Sequence, residues 1–592
     1  MKHINKVSTT WLSLLFLSLL FNTSCKKKEN LNSKILHQVI SSKLSGLDPI
    51  SASDVTASTQ VAKVYDCLYQ YHYLKRPYEI EPCLADSMPL VSDSGKTYQI
   101  TIKKGVLFQD NKCFPTGKGR ELKAADVRYS ILRLADPKLH ARGWWTLQGQ
   151  IKGLDEWREI NSSKESSNYD TTIEGIEVID DYKIRISLNH AYPQFINILA
   201  MSYTSIVPKE AVEYYKDDFL NNPVGTGPYT TTRYEQGNKI VFIKNPNYRT
   251  EYYPNTGEES DKKTGTLASA GKKLPLIDTI VVKIQTKAQP AWLSFVKGKY
   301  DAYGIPKDNF NMVVNMDKSL KERYKEKEFD LKITPAFHTS YFAFNHDDTL
   351  FGKNVHLRRA MSLAFDRAEF AKKFTNNRYV PSRSICPPGL MDDDTSSYIY
   401  TKLDIELAKK ELKLAGYENG KGLPVLFLDI VADKEVEKIG EFFRLCMQKI
   451  GITIEMRTNT WPKLIEKVNN KQTQMFAMAW KGDYPDAQTF LQLLYGPNES
   501  PGCNSSNYKN SYYDSLFEKA SRMQVSPERE ALYKEMNAIS ANEVPLILSV
   551  HGTSYTLNHA WLLNYKSHAF SYGMEKYLDI DLDKKKAVFD KL

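Results

Sequence analysis

Residues 478–490 read MAWKGDYPDAQTF, which sets two carboxylates, Asp483 and Asp486, close together behind Trp480. Two chemistries suit such a pair. Carboxylates flanking a scissile bond act as general acid and base, as in glycoside hydrolysis, where they stand about 5–9.5 Å apart. Alternatively, a carboxylate held out of water grips a cationic ligand through a charge-assisted hydrogen bond of about 1.5–3 kcal/mol. Gly482 and Pro485 break regular structure here, and Asp486, just after Pro485, is expected to stabilise the turn by accepting from nearby backbone amides. Catalysis needs more partners than these. The chain has no Gly-x-Ser-x-Gly elbow, no His-Glu-x-x-His and no Ser/His/Asp order. No catalytic residue is therefore assigned, and an exported hydrolase remains only a remote alternative. The string NHDD, residues 345–348, has metal-like letters, but no second cluster at ligand spacing accompanies it. It is expected to be a solvated turn, and neither a metal nor a cofactor is expected.

The elements that must position these residues mix strands and helices without a strict alternation. TYQITIKKG sets Tyr98, Ile100 and Ile102 against polar neighbours, and YKIRISLN repeats this with Ile184, Ile186 and Leu188, the period of half-buried strands. KIVFIKNP and DTIVVKIQ are denser apolar runs and are expected to be central strands. DIELAKKELKLAGY places Ile405, Ala408, Leu412 and Ala415 on one helical face, with Asp404 as its cap and Gly416 at its left-handed end. VHLRRAMSLAFDRAEFAKKF is a further helical stretch. In NPVGTGPY, residues 222–229, the phosphate-loop spacing fails at Thr230. A tight turn is expected instead, in which Gly225 and Gly227 supply unusual dihedrals. The polar run at about 249–273 reads as a surface insertion.

The chain begins with Lys2, His3 and Lys6 ahead of the uncharged run WLSLLFLSLLF. That run is shorter than the roughly 20 residues of a membrane-spanning helix, so residues 1–24 read as a secretory signal peptide. The following FNTSC resembles the lipobox of bacterial lipoproteins, which implies cleavage before Cys25 and lipid attachment to it. Where that pattern usually carries Leu, this chain has Asn22; plain secretion with an incidental Cys25 is the alternative. Residues 25–34 form a polar tether. The 592 residues, 42% of them hydrophobic, suffice for several domains. The net charge of +10 is spread along the chain without an arginine-rich stripe, so no nucleic-acid partner is expected. Export permits disulfides; Cys67 with Cys83 is the favoured pair, and Cys446 is expected to fill a core.

A GTGPY turn feeding a strand and then NPNY is similar to the family 5 solute-binding proteins of ABC importers, the oligopeptide and dipeptide binders. YQITIKKGVLFQDN with LKAADVRYSILRLADP resembles the family's early strand-turn-helix block, lengthened here around KCFPTGKGR. FNHDDTLFGKNVHLRRAMSLAFDRAEF resembles another block through Asn345, Phe351, Arg358, Ala360, Asp366 and Arg367, and AKKELKLAGY a third. These blocks span the chain from about Ile35 to its end. The resemblance implies an α/β, two-lobed periplasmic-binding-protein-like fold (type II, cluster C) with an extra domain, mixed sheets flanked by helices, and a ligand cleft between the lobes. It implies lobe 1 from residues 35–71, 204–334 and 549–592, the extra domain at 72–203 and lobe 2 at 335–548. In peptide-binding members a Trp-x-x-Asp lies in the cleft and its Asp pairs with the ligand's α-amino group, which points to Trp480 and Asp483. PGCNSSNY, residues 501–508, resembles the stretch just beyond, so Asn504 is a further ligand candidate, with loop stabilisation as its alternative. The implied protein is a monomer that binds short peptides in extended form, passes them to ABC permease subunits and meets the membrane only through its lipid, in the periplasm or cell envelope. Members that carry nickel chelates, oligosaccharides or other solutes keep a non-peptide ligand open.

Overall fold

The computed structural model describes residues 33–592 apart from 45, 53, 590 and 591. The signal peptide, Cys25 and most of the tether lie outside the described residues. Among these, no helix is long and apolar enough to cross a membrane.

The first lobe is built on a four-stranded sheet in the order Ile35–Ile40, Thr279–Ile284, Lys239–Lys244, Tyr229–Glu235. The first pair is parallel and the others antiparallel. The two dense apolar runs occupy its centre, with Ile240, Phe242, Ile280 and Val282 buried on one face and Ile243 and Lys283 exposed on the other. Beside it stands a second four-stranded antiparallel sheet, Leu90–Ser92, Thr97–Thr101, Lys183–Ser187 and Ile176–Asp180. Its alternating residues Tyr98, Ile100, Ile184 and Ile186 are all buried, in one apolar core shared with the first sheet.

The remaining lobe hangs on a seven-stranded sheet in the order Ala302–Gly304, Leu546–His559, Phe329–Phe344, Met475–Lys481, Leu426–Val431, Ile454–Asn459, with Val380–Pro381 paired to Leu546–His559. Its cores gather Phe342, Leu428, Phe443 and Ile547 on one side and Tyr341, Phe476, Phe490 and Tyr513 on the other. Two long strands, Phe329–Phe344 and Leu546–His559, run through both lobes. Their antiparallel register breaks between Pro335 and Thr339, and Phe337 within the break has φ of 42°. A non-glycine residue in the left-handed region is costly, and here it marks where the ribbon bends between lobes. Helices follow their sequence signals. Asp404 accepts from the Leu407 amide at 2.9 Å, and Gly416 has φ of +92° just past the helix Ile405–Leu414. The long helical stretch is divided into Val355–Ala364 and Arg367–Thr375, because Asp366 caps the second helix by accepting from the Glu369 amide at 2.9 Å.

Three expectations need correction. Gly225 and Gly227 are not in the left-handed region; they are required by close approach, since a Cβ at Gly225 would lie 2.1 Å from the Val64 carbonyl oxygen and one at Gly227 2.5 Å from the Val64 carbonyl carbon. Cys67 and Cys83 form no disulfide. Tyr69 pairs with Pro82 across a short antiparallel ribbon, so continuing that register opposes Leu68 to Cys83 and sends the two thiols to opposite faces. The string NHDD does form a turn with Asp347 exposed, but Asn345 at its start is buried: its amide donates to the Lys471 and Thr473 carbonyls at 3.1 and 2.9 Å. The polar insertion is more ordered than its composition suggests. Lys566 pairs with Glu258 and Asp261 at 2.6 and 2.8 Å, and Tyr253 is buried edge-on against Tyr73 and Tyr577. Cys446 does fill the core.

Candidate ligand-binding site

The strand Met475–Lys481 is hydrogen-bonded to Phe329–Phe344 along its length and to Leu426–Val431 at its start, so its end is fixed at the bend between lobes. Gly482 ends the strand and donates its amide to the Phe337 carbonyl at 2.9 Å. Asp483 follows. Its backbone amide donates to Thr489 Oγ1 at 3.0 Å, and that hydroxyl donates back to Asp483 Oδ2 at 3.1 Å. Thr489 is fully buried at the start of the short helix Gln488–Leu491. The carboxylate is thus held by one oxygen, while Oδ1 bonds no protein group among the described residues.

Asp483 lines a cavity of about 360 Å³ to which both lobes contribute. Asp54, Val55 and Ser58 come from the start of the helix Val55–Val64; Arg142, Trp145 and Tyr203 come from the segments around the second sheet. Trp480, Lys481, Gly482 and Asp483 close the other side, and Phe570 and Tyr572 complete the wall. Burial dominates the electrostatics. It pushes the Asp483 carboxyl up to about 7, against the Thr489 hydrogen bond and the Lys481 charge, which act in the opposite direction. Burial also pushes the Lys481 ammonium down, with Asp483 opposing. Lys481 Nζ sits 5.4 Å from the Tyr572 ring centroid. Neither Lys481 nor the exposed Arg142 forms an ion pair among the described residues. Asp54 is partly engaged as a helix cap, accepting from the Ala57 amide at 3.0 Å.

Trp480 lines the same cavity and also packs against the core of its own lobe. Its indole Nε1 is buried without a partner among the described residues, so the ring, not the N–H, is what this wall offers a ligand. Asn504 is not brought to the cavity. It is fully buried, donates to the Tyr495 and Tyr508 carbonyls at 3.1 and 2.9 Å, and accepts from Ser506 Oγ at 2.9 Å. All its polar capacity is spent on bracing its loop. Asp486 accepts from the Gln488 amide at 2.9 Å, as the turn reading expects, but its larger partners are Arg529 at 2.6 Å and Tyr533 at 3.0 Å. Asp486 is thus paired outside the cavity; the second carboxylate facing Asp483's cavity is that of Asp54, which caps the helix Val55–Val64.

A larger cavity, about 760 Å³, lies on the Phe337 side of the Phe337–Phe570 ring stack. Its charges are already used. Lys566 is paired as above, Lys332 pairs with Asp330 at 2.7 Å, and Arg76 donates to the Tyr73, Lys75 and Ser567 carbonyls. The smaller cavity, with a free carboxylate oxygen and two basic side chains outside any ion pair among the described residues, has the chemistry of a polar ligand site. Lys481 and Arg142 were not singled out by the sequence. Lys481 had a signal, being adjacent to Trp480 and Asp483; Arg142 had none.

Two lobes joined by a bent two-strand ribbon, with a polar cavity between them, have the architecture of a solute-binding protein. The chain belongs to the bacterial extracellular solute-binding proteins, family 5, whose model matches residues 79–502. Among curated relatives, it is 25% identical to Heme-binding protein A of Haemophilus influenzae over 90% of this chain and 89% of that one. It is 24% identical to the Dipeptide-binding protein of Escherichia coli, covering 81% and 82%. Among solved structures, a periplasmic binding protein associated with an ABC transporter of Helicobacter pylori, in complex with the peptide STSA, superposes with a TM-score of 0.73 at 22% identity, covering 93% of this chain and 98% of that one. The dipeptide binding protein of Pseudoalteromonas in complex with Met-Leu gives a TM-score of 0.71 at 19% identity, covering 93% and 100%. The two-lobed fold of periplasmic binding proteins is therefore the fold of this chain.

Proposed function

We propose that this protein captures short peptides in extended form outside the cytoplasm and delivers them to the permease of an ABC importer. Asp483 takes the ligand's α-amino group and Trp480 covers the adjoining part of the ligand. The observation that carries this reading is the Asp483 carboxylate, held by Thr489 through one oxygen while the other is free in an interlobe cavity. An ammonium is the complement of such a group. It converts a half-protonated, poorly solvated acid into an ion pair, and it reads only the chain terminus that every unblocked peptide shares. Relatives named for dipeptides, and solved neighbours holding STSA and Met-Leu, support the peptide class. Capture needs no turnover, and no catalytic role is assigned. The lipid anchor on Cys25, the one-chain state and residence in the periplasm or cell envelope complete the proposal.

A second reading keeps the fold and changes the solute. Relatives named for heme and for glutathione favour it. One experiment separates the two: mass spectrometry of what co-purifies with the protein, followed by calorimetry with Met-Leu and with N-acetyl-Met-Leu. The peptide reading expects Asp483→Asn to weaken binding of the free-amino peptide by about 10- to 100-fold and to leave the acetylated one unchanged. Equal losses for both peptides, or exclusive recovery of a non-peptide solute, would reject the amino-anchor role.

A further inference from the structure

The short segment 482–487 faces two ways. On one side Asp483 lines the ligand cavity. On the other, the next residues engage the opposite lobe. Tyr484 is 1% exposed and lies in the apolar core shared by the two four-stranded sheets, although it belongs to the chain leaving the other lobe's sheet. Tyr192 packs, partly buried, against the same core. Asp486 Oδ2 accepts from Gln194 Nε2 at 2.9 Å. Gln194 Oε1 accepts in turn from Asn197 Nδ2 at 2.5 Å, and Asn197 Oδ1 from Tyr71 Oη at 3.0 Å. Within its own lobe Asp486 is fastened by Arg529 and Tyr533.

From this arrangement we infer a closure latch: Tyr484 and Asp486 are positioning residues that dock on Tyr192 and Gln194 and set the lifetime of the bound state. Opening the lobes must withdraw Tyr484 from an apolar pocket and return Gln194 and Asp486 to water. Pro485, between the two docking residues, limits how far they can move independently. The contacts that fasten the lobes therefore also fix Asp483 in the cavity. A ligand that orders Asp483 and a latch that holds its neighbours stabilise the same closed state, so each strengthens the other. Because these contacts form only on closure, their loss is expected in release and not in encounter. The inference rests on the proposed function only in requiring that the cavity hold a ligand, not in what that ligand is.

The test uses Gln194, whose side chain lies across the interface from the buried Arg529–Asp486 pair and outside the ligand cavity. Gln194→Glu sets a second carboxylate against Asp486; Gln194→Ala removes the bond without adding charge. Stopped-flow tryptophan fluorescence with Met-Leu, and small-angle scattering of the ligand-free protein, are the readouts, with melting curves to confirm that both variants fold. Release is expected to quicken about 10- to 100-fold in Gln194→Glu and less in Gln194→Ala, with association changed by under about threefold. The ligand-free radius of gyration is expected to rise in Gln194→Glu. The preference for Met-Leu over N-acetyl-Met-Leu is expected to persist, since Asp483 is intact; its absence from the wild type would count against the amino anchor and not against the latch. Slower association with unchanged release, or wild-type release and radius in both variants, would overturn the latch. If Met-Leu does not bind the wild type, an unchanged radius of gyration in Gln194→Glu overturns it alone.

Discussion

Replacing Asp483 with asparagine is expected to make the ligand-free protein more stable at pH 8 while impairing capture. The carboxyl is displaced from its ordinary 3.8 to about 7 because the folded chain withdraws it from water. A raised acid favours the folded state in its neutral form. The stability it lends is fully present below 3.8 and is lost as pH rises through 7. At about 1.36 kcal/mol per unit, the ionised group costs the folded state about 4 kcal/mol at pH 8 and about 2 kcal/mol at pH 5. Asparagine imitates the neutral acid and keeps an oxygen to accept from Thr489. The Lys481 charge, the nearest opposite charge, is already included in the net displacement. Arg142 and Asp54 face the same space from the other lobe, and Tyr203 and Tyr572 from the walls. For a chain of this size about 4 kcal/mol raises an apparent melting temperature by roughly 3 °C. Thermal melts of wild type and Asp483→Asn at pH 5 and pH 8 provide the assay. The variant's advantage is expected to be roughly two to three times as large at pH 8 as at pH 5, and saturating Met-Leu is expected to reverse the order, since only the wild type gains full ligand stabilisation. A variant less stable than wild type at pH 8, or an advantage that does not change with pH, would refute the burial argument.

Two further substitutions separate the wall of the cavity from the loop behind it. Trp480→Ala is expected to weaken Met-Leu binding by about 10- to 100-fold in calorimetry, while the preference for the free amine survives, because the indole covers ligand surface and does not read charge. Asn504→Ala is expected to lower stability in urea by about 1–3 kcal/mol, since the Tyr495 and Tyr508 carbonyls lose a buried donor. Its Met-Leu affinity should stay at the wild-type value, and a large loss would return Asn504 to the ligand site.

What the sequence made legible is what repeats locally. Alternation marked Ile184 and Ile186, the apolar runs marked the central strands, and Asp404 with Gly416 marked both ends of a helix; each depends on neighbours a few residues away. What it hid depends on distant partners. Gly225 and Gly227 looked like torsional glycines, yet their constraint is the backbone of Val64 across the lobe. Asp486 looked like a turn residue, yet it joins Arg529 to Gln194, 292 positions earlier in the chain. Cys67 and Cys83 looked like a pair, and only strand register separates them.

The site itself was half legible, for a reason of geometry. Neighbouring residues on a strand point to opposite faces, so a reading by pattern would never place Trp480, Lys481 and Asp483 in one cavity. The strand ends at Lys481, however, and Gly482 bonds to Phe337 at the bend of the interlobe ribbon. Alternation stops there, and the chain turns so that the indole, the ammonium and the carboxylate share one space. The same turn carries Tyr484 into the opposite lobe's core. On the proposed roles, recognition and closure become properties of one short segment, and a ligand that draws Asp483 into an ion pair would act on the residues that hold the lobes together.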